Sequence, residues 1–414
     1  NDNIIDGENN DIYIQNSEFK DTTLKSSLPI VSNCIDSNIY IENSTFENLN
    51  IQGNSLIGSH STYTFNNVLL KNITTNGISL FRFLYKNIKF SNVTFTNIKN
   101  VGDINESSII YFDSGETDNS LILDNITIDN CETNGKFIRI LGNNTTNEIK
   151  NSTITNNISY GPIISSLLLQ NLSFDNNKNV NKNSCGTIHS NNNIEIVIKE
   201  SKFTNNESNS NGGALCFENY NDIKFNIVNS DFINNKGING GAIYFGINES
   251  NHNKNELNFT NTNFIGNKST YFGGAIYSNY KNLNLLNANN ITFIKNYAGV
   301  AGGALFSPNL PKQNLFHYDQ RDYNENYAES HGNDIATHPS LIELKNINQY
   351  NNTIIKSGSY LPLKFEIFDS FGNFVSDYNK YYSDILIKVL VETVNNTNTK
   401  YLLKGNVGSF TNGK

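Results

Sequence analysis

The side chains best suited to metal chemistry lie near the end of this sequence. His317, Asp319, His331 and Asp334 together could supply imidazole and carboxylate ligands. Zinc takes such ligands, usually from positions with recognisable spacing. The spacing here matches no established ligand signature. We therefore expect an ordinary polar loop, with no metal and no cofactor.

Carboxylates and basic residues that could act on a polysaccharide are dispersed. Glycoside hydrolysis needs two neighbouring carboxyl groups, whereas a lyase needs a base and often carboxylates that hold calcium. Solvated turn positions explain the nearest approach to a cluster, Asp113, Asp124 and Asp129. The three arginines are expected to lie on distant parts of the fold: Arg82, Arg139 and Arg321. We predict no enzymatic activity; a polysaccharide lyase or glycoside hydrolase is the alternative.

A row of aromatic residues suggests binding instead. Tyr244, Tyr277 and Phe306 follow the aliphatic residue of a recurring Gly-Gly-Ala phrase, and Arg139 and His189 take the same place in earlier copies. Side chains alternate along a strand, and charged groups seldom face a core. If the aliphatic residues point inward, this row points outward and suits sugar rings or a protein partner. The opposite arrangement, in which the row faces inward beside the Ala residues, is also compatible with the sequence.

The four cysteines do not look like a disulfide framework. Cys185 takes the first Gly position of one copy, and Cys216 takes the fifth position of the next. Four residues of strand at about 3.3 Å each put the two beyond bonding distance. Cys34 and Cys131 are farther apart still. We expect free, mostly buried thiols.

A repeat positions these residues. A Phe-x-x-Asn phrase recurs at Phe174, Phe203, Phe232, Phe264 and Phe293, at intervals of 29, 29, 32 and 29 residues. The Gly-Gly-Ala phrase alternates with it, beginning at Gly212, Gly240, Gly273 and Gly302. A period of this size indicates stacked supersecondary units.

Weaker copies extend the repeat toward the N-terminus. Segments such as 194–198 alternate apolar and polar residues, as half-buried strands do. After each strand an Asn precedes an apolar residue by three positions, and we expect these amides to stack as a buried structural ladder. They are Asn16, Asn43, Asn92, Asn125, Asn151, Asn171, Asn229, Asn261 and Asn290. The pattern predicts an all-β, right-handed parallel β-helix of about eleven coils between residues 10 and 310.

The paired phrases resemble the repeats of the polymorphic outer-membrane protein family. They are also similar to Asn-rich right-handed β-helix regions of some secreted eukaryotic proteins. The resemblance is sharp over residues 170–310 and degenerate over 10–170. It implies a β-helix that forms the displayed part of a surface adhesin.

The pattern breaks after residue 308, which predicts three parts. Residues 1–310 are predicted to form the β-helix, 311–340 a divergent last coil or linker, and 341–414 a small module that the end of the sequence could truncate. Strands at intervals of ten to fifteen residues predict an immunoglobulin-like β-sandwich there. The phrase from Phe368 to Val375 reads as a strand, a turn and a second strand.

Composition narrows the partners and the location. The net charge is −8 without a Lys/Arg cluster, so we expect no nucleic acid partner. No apolar run is long enough to span a membrane, and the absence of Met suggests a mature or excised fragment. Many Asn-x-Ser/Thr sequons occur; we expect glycans on those in loops, at Asn105, Asn143, Asn144, Asn248, Asn351 and Asn395.

These expectations combine into one functional hypothesis. The chain is predicted to be a secreted or cell-surface, non-catalytic solenoid, an adhesin or a cellulosome-type scaffoldin. Its partner would be a protein or a polysaccharide, and the speculative binding residues are Tyr244, Tyr277, Phe306 and His189.

Overall fold

A parallel β-solenoid makes up most of the chain. The computed structural model describes residues 4–26, 29, 31–104, 106–142, 145–164, 168–190, 196–218, 224–246, 255–279, 283–308, 322–346, 354–382, 384–391 and 403–414. No α-helix occurs among them. Every pairing between solenoid strands is parallel and joins one turn, or coil, to the next. The predicted all-β parallel β-helix is confirmed.

Within the described residues, the larger solenoid sheet has 23 strands. In the early coils they are β1 (Ile5–Glu8), β2 (Asp11–Gln15), β3 (Glu18–Ser26), β4 (Ser32–Gly53), β5 (His60–Thr75), β7 (Ile88–Asn100), β9 (Asn119–Asp129), β10 (Glu132–Thr133), β12 (Thr145–Thr155), β13 (Ile158–Ser159), β14 (Leu168–Asp175) and β15 (Lys178–Asn179). In the later coils they are β17 (Ile196–Lys199), β18 (Lys202–Thr204), β19 (Glu207–Ser208), β21 (Lys224–Ile233), β22 (Lys236–Gly237), β24 (Asn255–Ile265), β25 (Lys268–Ser269), β27 (Leu283–Ile294), β28 (Tyr297–Ala298), β30 (Tyr323–Asn324) and β31 (Tyr327–Ala328).

A second face carries the strands of the Gly-Gly-Ala phrases, and we call it the motif face. Its strands are β6 (Ser79–Leu84), β8 (Ser108–Asp113), β11 (Lys136–Leu141), β16 (Ile188–Ser190), β20 (Leu215–Glu218), β23 (Ile243–Gly246), β26 (Ile276–Ser278), β29 (Leu305–Phe306) and β32 (Ile335–Ala336). Single bridges from Ile164 to Ile138 and to Ile188 join the early and late strands of this face.

Each coil turns sharply at two left-handed positions five residues apart. In one coil these are Asn43 and Asn48, with φ of 48° and 55°. Asn tolerates this region better than other residues with a Cβ, which explains why Asn recurs at both bends. Between the bends lies an inward apolar residue, which is Phe in most coils and stacks on its equivalent where the next coil also has Phe. The rings of Phe203 and Phe232 are 4.8 Å apart and nearly parallel.

From Leu49 onward the residue after the second bend points into the interior, but its chemistry changes along the solenoid. It is aliphatic in the early coils, at Leu49, Ile73 and Ile98. Cys131 follows, and from there every described coil has a buried Asn: Asn157, Asn177, Asn206, Asn235, Asn267, Asn296 and Asn326. This Asn, the last residue of the Phe-x-x-Asn phrase, forms the buried amide ladder. In that ladder Asn206 Nδ2 donates to Asn235 Oδ1 at 3.0 Å.

Solenoid pairing is also found in the segment 311–340, for which the sequence left a divergent last coil or a linker open. Tyr323 pairs with Phe293, and Ile335 pairs with Leu305, so residues 323–336 form a regular last coil. Tyr323 stands where the preceding coils have Phe, which hides the repeat from a search for the Phe phrase.

Beyond the last coil the described residues contain two antiparallel strand pairs. β33 (Pro339–Leu344) pairs with β34 (Phe365–Asp369), and β35 (Leu386–Lys388) pairs with β36 (Val407–Ser409). A turn at Gly372 brings Phe368 opposite Phe374. The immunoglobulin-like sandwich stays a prediction, because among the described residues the module has only these two strand pairs.

Candidate functional site

A single row of side chains runs along the outside of the motif face, and we call it the outer row. The aliphatic residues beside it, such as Leu215 and Ile243, are buried in the solenoid core, so alternation turns the row away from that core. Strand register sets its order. Its described members are Arg82, Tyr111, Arg139, His189, Cys216, Tyr244, Tyr277, Phe306 and Ala336.

The aromatic end of the outer row is only partly open. Tyr244 and Tyr277 are half-buried and stack with ring centres 5.0 Å apart. Phe306 stacks on Tyr277 at 5.6 Å, but it is only 2% exposed. Phe272 and His338 cover it, at 4.4 and 5.1 Å. The predicted three-residue aromatic site is therefore reduced to Tyr244 and Tyr277.

Stacking within the pair determines what it can offer a partner. The two ring planes differ by 17°, so each ring covers one face of the other. Tyr244 also packs over Gly246, where a Cβ would lie 2.6 Å from the ring. The phenol oxygens have no hydrogen-bond partner among the described residues. Burial first, and then Tyr244 and Tyr381, raise the pKa of Tyr277, so it stays a neutral hydroxyl donor.

The opposite end of the row is cationic. The guanidinium groups of Arg82 and Arg139 lie 5.5 and 5.6 Å from the ring centre of Tyr111. Arg139 also pairs with Glu106 at 2.7 Å. The expectation that the arginines lie far apart is wrong for these two, because they occupy the same row one coil above and one coil below Tyr111. Arg321 lies outside the described residues.

Cys185 and Cys216 form a disulfide, with Cα atoms 5.8 Å apart. The expectation of four free thiols is wrong for this pair. The expected separation of the two cysteines assumes straight strand from Cys185 to His189, but Gly186 has a φ of +74° and turns the chain back. This coil is also one residue shorter at the bend. Gly186 corresponds to Gly212, because the N–H of Gly186 donates to the carbonyl of Asn211 just as the N–H of Gly212 donates to the carbonyl of Asn239. Ile188, two residues after Gly186, nevertheless pairs with Leu215, which is three residues after Gly212.

The other two cysteines are free and buried, as expected. Burial raises the pKa of the Cys131 thiol to about 12. Burial also raises the pKa of Cys34, with a smaller contribution from Asp6. Both thiols are therefore protonated and unreactive in the folded chain.

His189 lies beside the disulfide in the outer row. Burial, and secondarily Lys136, lowers its pKa to about 4, so the imidazole is neutral at pH 7. Its Nε2 atom is buried and has no hydrogen-bond partner among the described residues. Glu218 Oε2 lies 3.9 Å from it.

The acidic residues considered for catalysis are not brought together. Asp113 ends a strand of the motif face and accepts the N–H of Gly115 at 2.9 Å. Asp124 and Asp129 lie in the large sheet, where they accept amide hydrogens from Asn151 and Asn156 at 2.8 Å. All three serve as turn or ladder acceptors.

The two described residues of the candidate metal site near residue 330, His331 and Asp334, contact other partners. His331 Nε2 contacts the carbonyl of Thr337 at 2.9 Å, and Asp334 accepts a bond from Asn326 at 3.1 Å. His317 and Asp319 lie outside the described residues.

The nine Asn residues predicted as a buried ladder do stack, but the expected burial is wrong. Each is exposed: Asn16, Asn43, Asn92, Asn125, Asn151, Asn171, Asn229, Asn261 and Asn290. The reason is their position at the first left-handed bend, where the side chain points outward. Neighbouring amides bond along the surface, as from Asn261 to Asn229 at 2.8 Å. The six glycan candidates, Asn105, Asn143, Asn144, Asn248, Asn351 and Asn395, lie outside the described residues.

Three segments of the chain match the family model of the Chlamydia polymorphic membrane protein repeat: residues 200–218, 261–279 and 290–308. The chain carries polymorphic membrane protein repeats. Each matched segment runs from the first left-handed bend, through the buried Asn, into the motif-face strand. The match indicates a surface-exposed β-helix protein at the outer membrane or cell surface. No curated protein and no solved structure shows significant similarity to the chain.

The repeat match covers well under half of the chain. Within the part of the chain that the structure describes, no helix has the length and apolarity to cross a bilayer.

Proposed function

We propose that this chain is a non-catalytic solenoid, displayed at a surface or secreted, that binds a protein partner through its outer row. An adhesin is the first reading and a scaffold the second. The observation that carries the proposal is the half-buried Tyr244–Tyr277 pair, whose unpartnered hydroxyls are held on rigid paired strands. Tyrosines fixed in this way are typical of binding hot spots, because little side-chain entropy is lost on contact.

The geometry favours a protein over a polysaccharide. A sugar that stacks on an aromatic ring needs the free face of that ring. Tyr277 is stacked between Tyr244 and Phe306, and Tyr244 is stacked on Tyr277 and packs over Gly246, so the ring edges and hydroxyls are what a partner can reach. Hydrogen-bonding groups of a protein surface fit that arrangement better than a pyranose ring.

Binding of the labelled chain to cultured cells and to an array of immobilised glycans tests the proposal. The double variant Tyr244→Ser/Tyr277→Ser should lose at least about tenfold in cell binding, as expected for hot-spot tyrosines. Treating the cells with protease should have the same effect, whereas treating them with glycosidases should not.

The large sheet provides a matched control. Tyr13 and Tyr40 form another stacked pair, with ring centres 4.9 Å apart, and Tyr13→Ser/Tyr40→Ser should leave cell binding unchanged. Equal binding by the two double variants would remove the outer row as the site. Product release from any polysaccharide in a turnover screen would contradict the non-catalytic assignment.

A further inference from the structure

Four metal-ligating side chains meet in the middle of the outer row, beside the Tyr244–Tyr277 pair that carries the proposed binding function. One ligand atom from each of Cys185, His189, Cys216 and Glu218 lies within 4.8 Å of the others. Two sulfurs, an imidazole nitrogen and a carboxylate oxygen make a tetrahedral zinc set. Bond lengths of about 2.3 Å to sulfur and 2.0 to 2.1 Å to nitrogen or oxygen also place all ligand atoms of one zinc ion within 4.8 Å of one another.

The backbone holds these groups together before any metal binds. His189 and Cys216 are direct neighbours on paired strands. Glu218 lies two residues beyond Cys216, on the same side of the same strand. The bend at Gly186, with its φ of +74°, brings Cys185 back to the group.

The imidazole of His189 gives independent support. Its Nε2 is buried without a hydrogen-bond partner among the described residues, and the Glu218 oxygen, at 3.9 Å, is too distant to be one. A buried polar atom without a partner is costly and unusual in a folded protein. A metal ion between the imidazole, the carboxylate and the two sulfurs would satisfy it.

In the structure the two sulfurs are joined to each other, so the ligand set is complete only after reduction. We propose that Cys185, His189, Cys216 and Glu218 bind zinc once this disulfide is reduced. Adjacent coils are then joined by a disulfide under oxidising conditions and by a metal under reducing ones.

The chemistry balances with a dithiol as reductant. The protein S–S bond breaks, the dithiol closes to its own disulfide, and its two hydrogens pass to Cys185 and Cys216. Zinc then forms two Zn–S bonds, and the two thiol protons pass to solvent. Rejoining the sulfurs releases the metal and needs a disulfide or another two-electron oxidant.

Metal binding by the reduced full chain tests the proposal. The chain is reduced with a water-soluble phosphine, which becomes the phosphine oxide, then desalted without oxygen and titrated with zinc or cobalt(II). We expect one zinc per reduced chain and none per oxidised chain. Cobalt should give the thiolate charge-transfer and d–d bands of a tetrahedral site. Bound zinc should protect Cys185 and Cys216 from alkylation, which mass spectrometry reads without any variant.

Variants separate this site from other thiols. His189→Ala and Glu218→Gln should each weaken zinc binding by at least about tenfold, a typical loss when a group of a metal site is removed. Cys34→Ala and Cys131→Ala should bind as the unaltered chain does. A reduced chain that keeps its circular dichroism spectrum but binds no zinc overturns the proposal. Zinc binding by His189→Ala that is as tight as that of the unaltered chain also overturns the proposal.

Discussion

The early coils and the Gly-Gly-Ala coils build the same solenoid but join neighbouring turns differently. In the early coils the strand runs unbroken through the second bend, as β5 does from His60 to Thr75, and Ile73 fills the interior. In the later coils the strand ends before that position, as β21 does at Ile233, and Asn235 takes the place of the aliphatic residue.

The comparison shows what the buried amides replace. Where the strand is interrupted, Asn235 Oδ1 accepts the backbone N–H of Asn206 at 3.1 Å. The amide nitrogen of Asn235 donates to the carbonyl of Phe203 at 2.9 Å. The side chain thus supplies hydrogen bonds that the continuous strand makes with its backbone, and each buried polar group stays satisfied.

The motif face differs between the two regions in a similar way. Two residues before the inward apolar residue of the motif-face strand, the early coils have Ser79 and Ser108, whereas later coils have Gly213 and Gly241. A Cβ on Gly241 would lie 2.1 Å from the carbonyl oxygen of Gly274. The later coils therefore bring their backbones closer than any side chain allows.

Replacing a glycine of the later coils should have the largest effect. We expect Gly241→Ser to cost more than about 4 kcal/mol, because a clash with backbone can be relieved only by separating two coils. Hydrogen exchange resolved by coil, together with urea denaturation, measures the loss. Gly408→Ala is the control, since its Cβ would lie 3.8 Å from the nearest atom. Similar stability of the two variants would show that the close approach is not required.

Exchanging the interior residue between the regions should have the next largest effect. Asn235→Leu leaves the backbone N–H of Asn206 without an acceptor and removes one of the two acceptors of its side-chain amide, which we expect to cost about 3 kcal/mol. The reverse change, Ile73→Asn, buries an amide among aliphatic groups and should cost a similar amount. Ile73→Val should cost only about 1 kcal/mol. Urea denaturation compares the three, and a neutral Asn235→Leu would contradict the proposed role of the ladder.

The smallest effect is expected at the junction between the regions. Cys131 already accepts the N–H of Ile98 through its sulfur, at 3.4 Å, and donates its own N–H to Asn157 Oδ1 at 2.9 Å. Cys131→Asn would extend the amide ladder by one coil and should change stability by less than about 1 kcal/mol. Ile98→Asn, one coil earlier, should be clearly destabilising. If the two changes cost the same in urea, the junction does not lie at Cys131.

The repeat itself could be read from the sequence, because identical residues must stack when parallel coils have nearly equal length. Which of the two Asn types is buried and which is exposed could not be read from the sequence. Asn229 and Asn235 both belong to a recurring phrase, yet the first is exposed and the second is 0% exposed. The difference depends on which bend each residue occupies, and the alternation of apolar residues does not reveal the bends.

The sequence by itself determined the parallel solenoid and the inward positions of the Phe and aliphatic residues, because hydrophobic periodicity is a local property that repetition reinforces. Only the tertiary structure decided which residues of different coils meet. The positive φ at Gly186 closed the Cys185–Cys216 disulfide beside His189, the register of three strands placed Tyr111 between Arg82 and Arg139, and Phe272 and His338 covered Phe306. Such contacts depend on backbone turns and on small differences in coil length, which the order of residue types does not express.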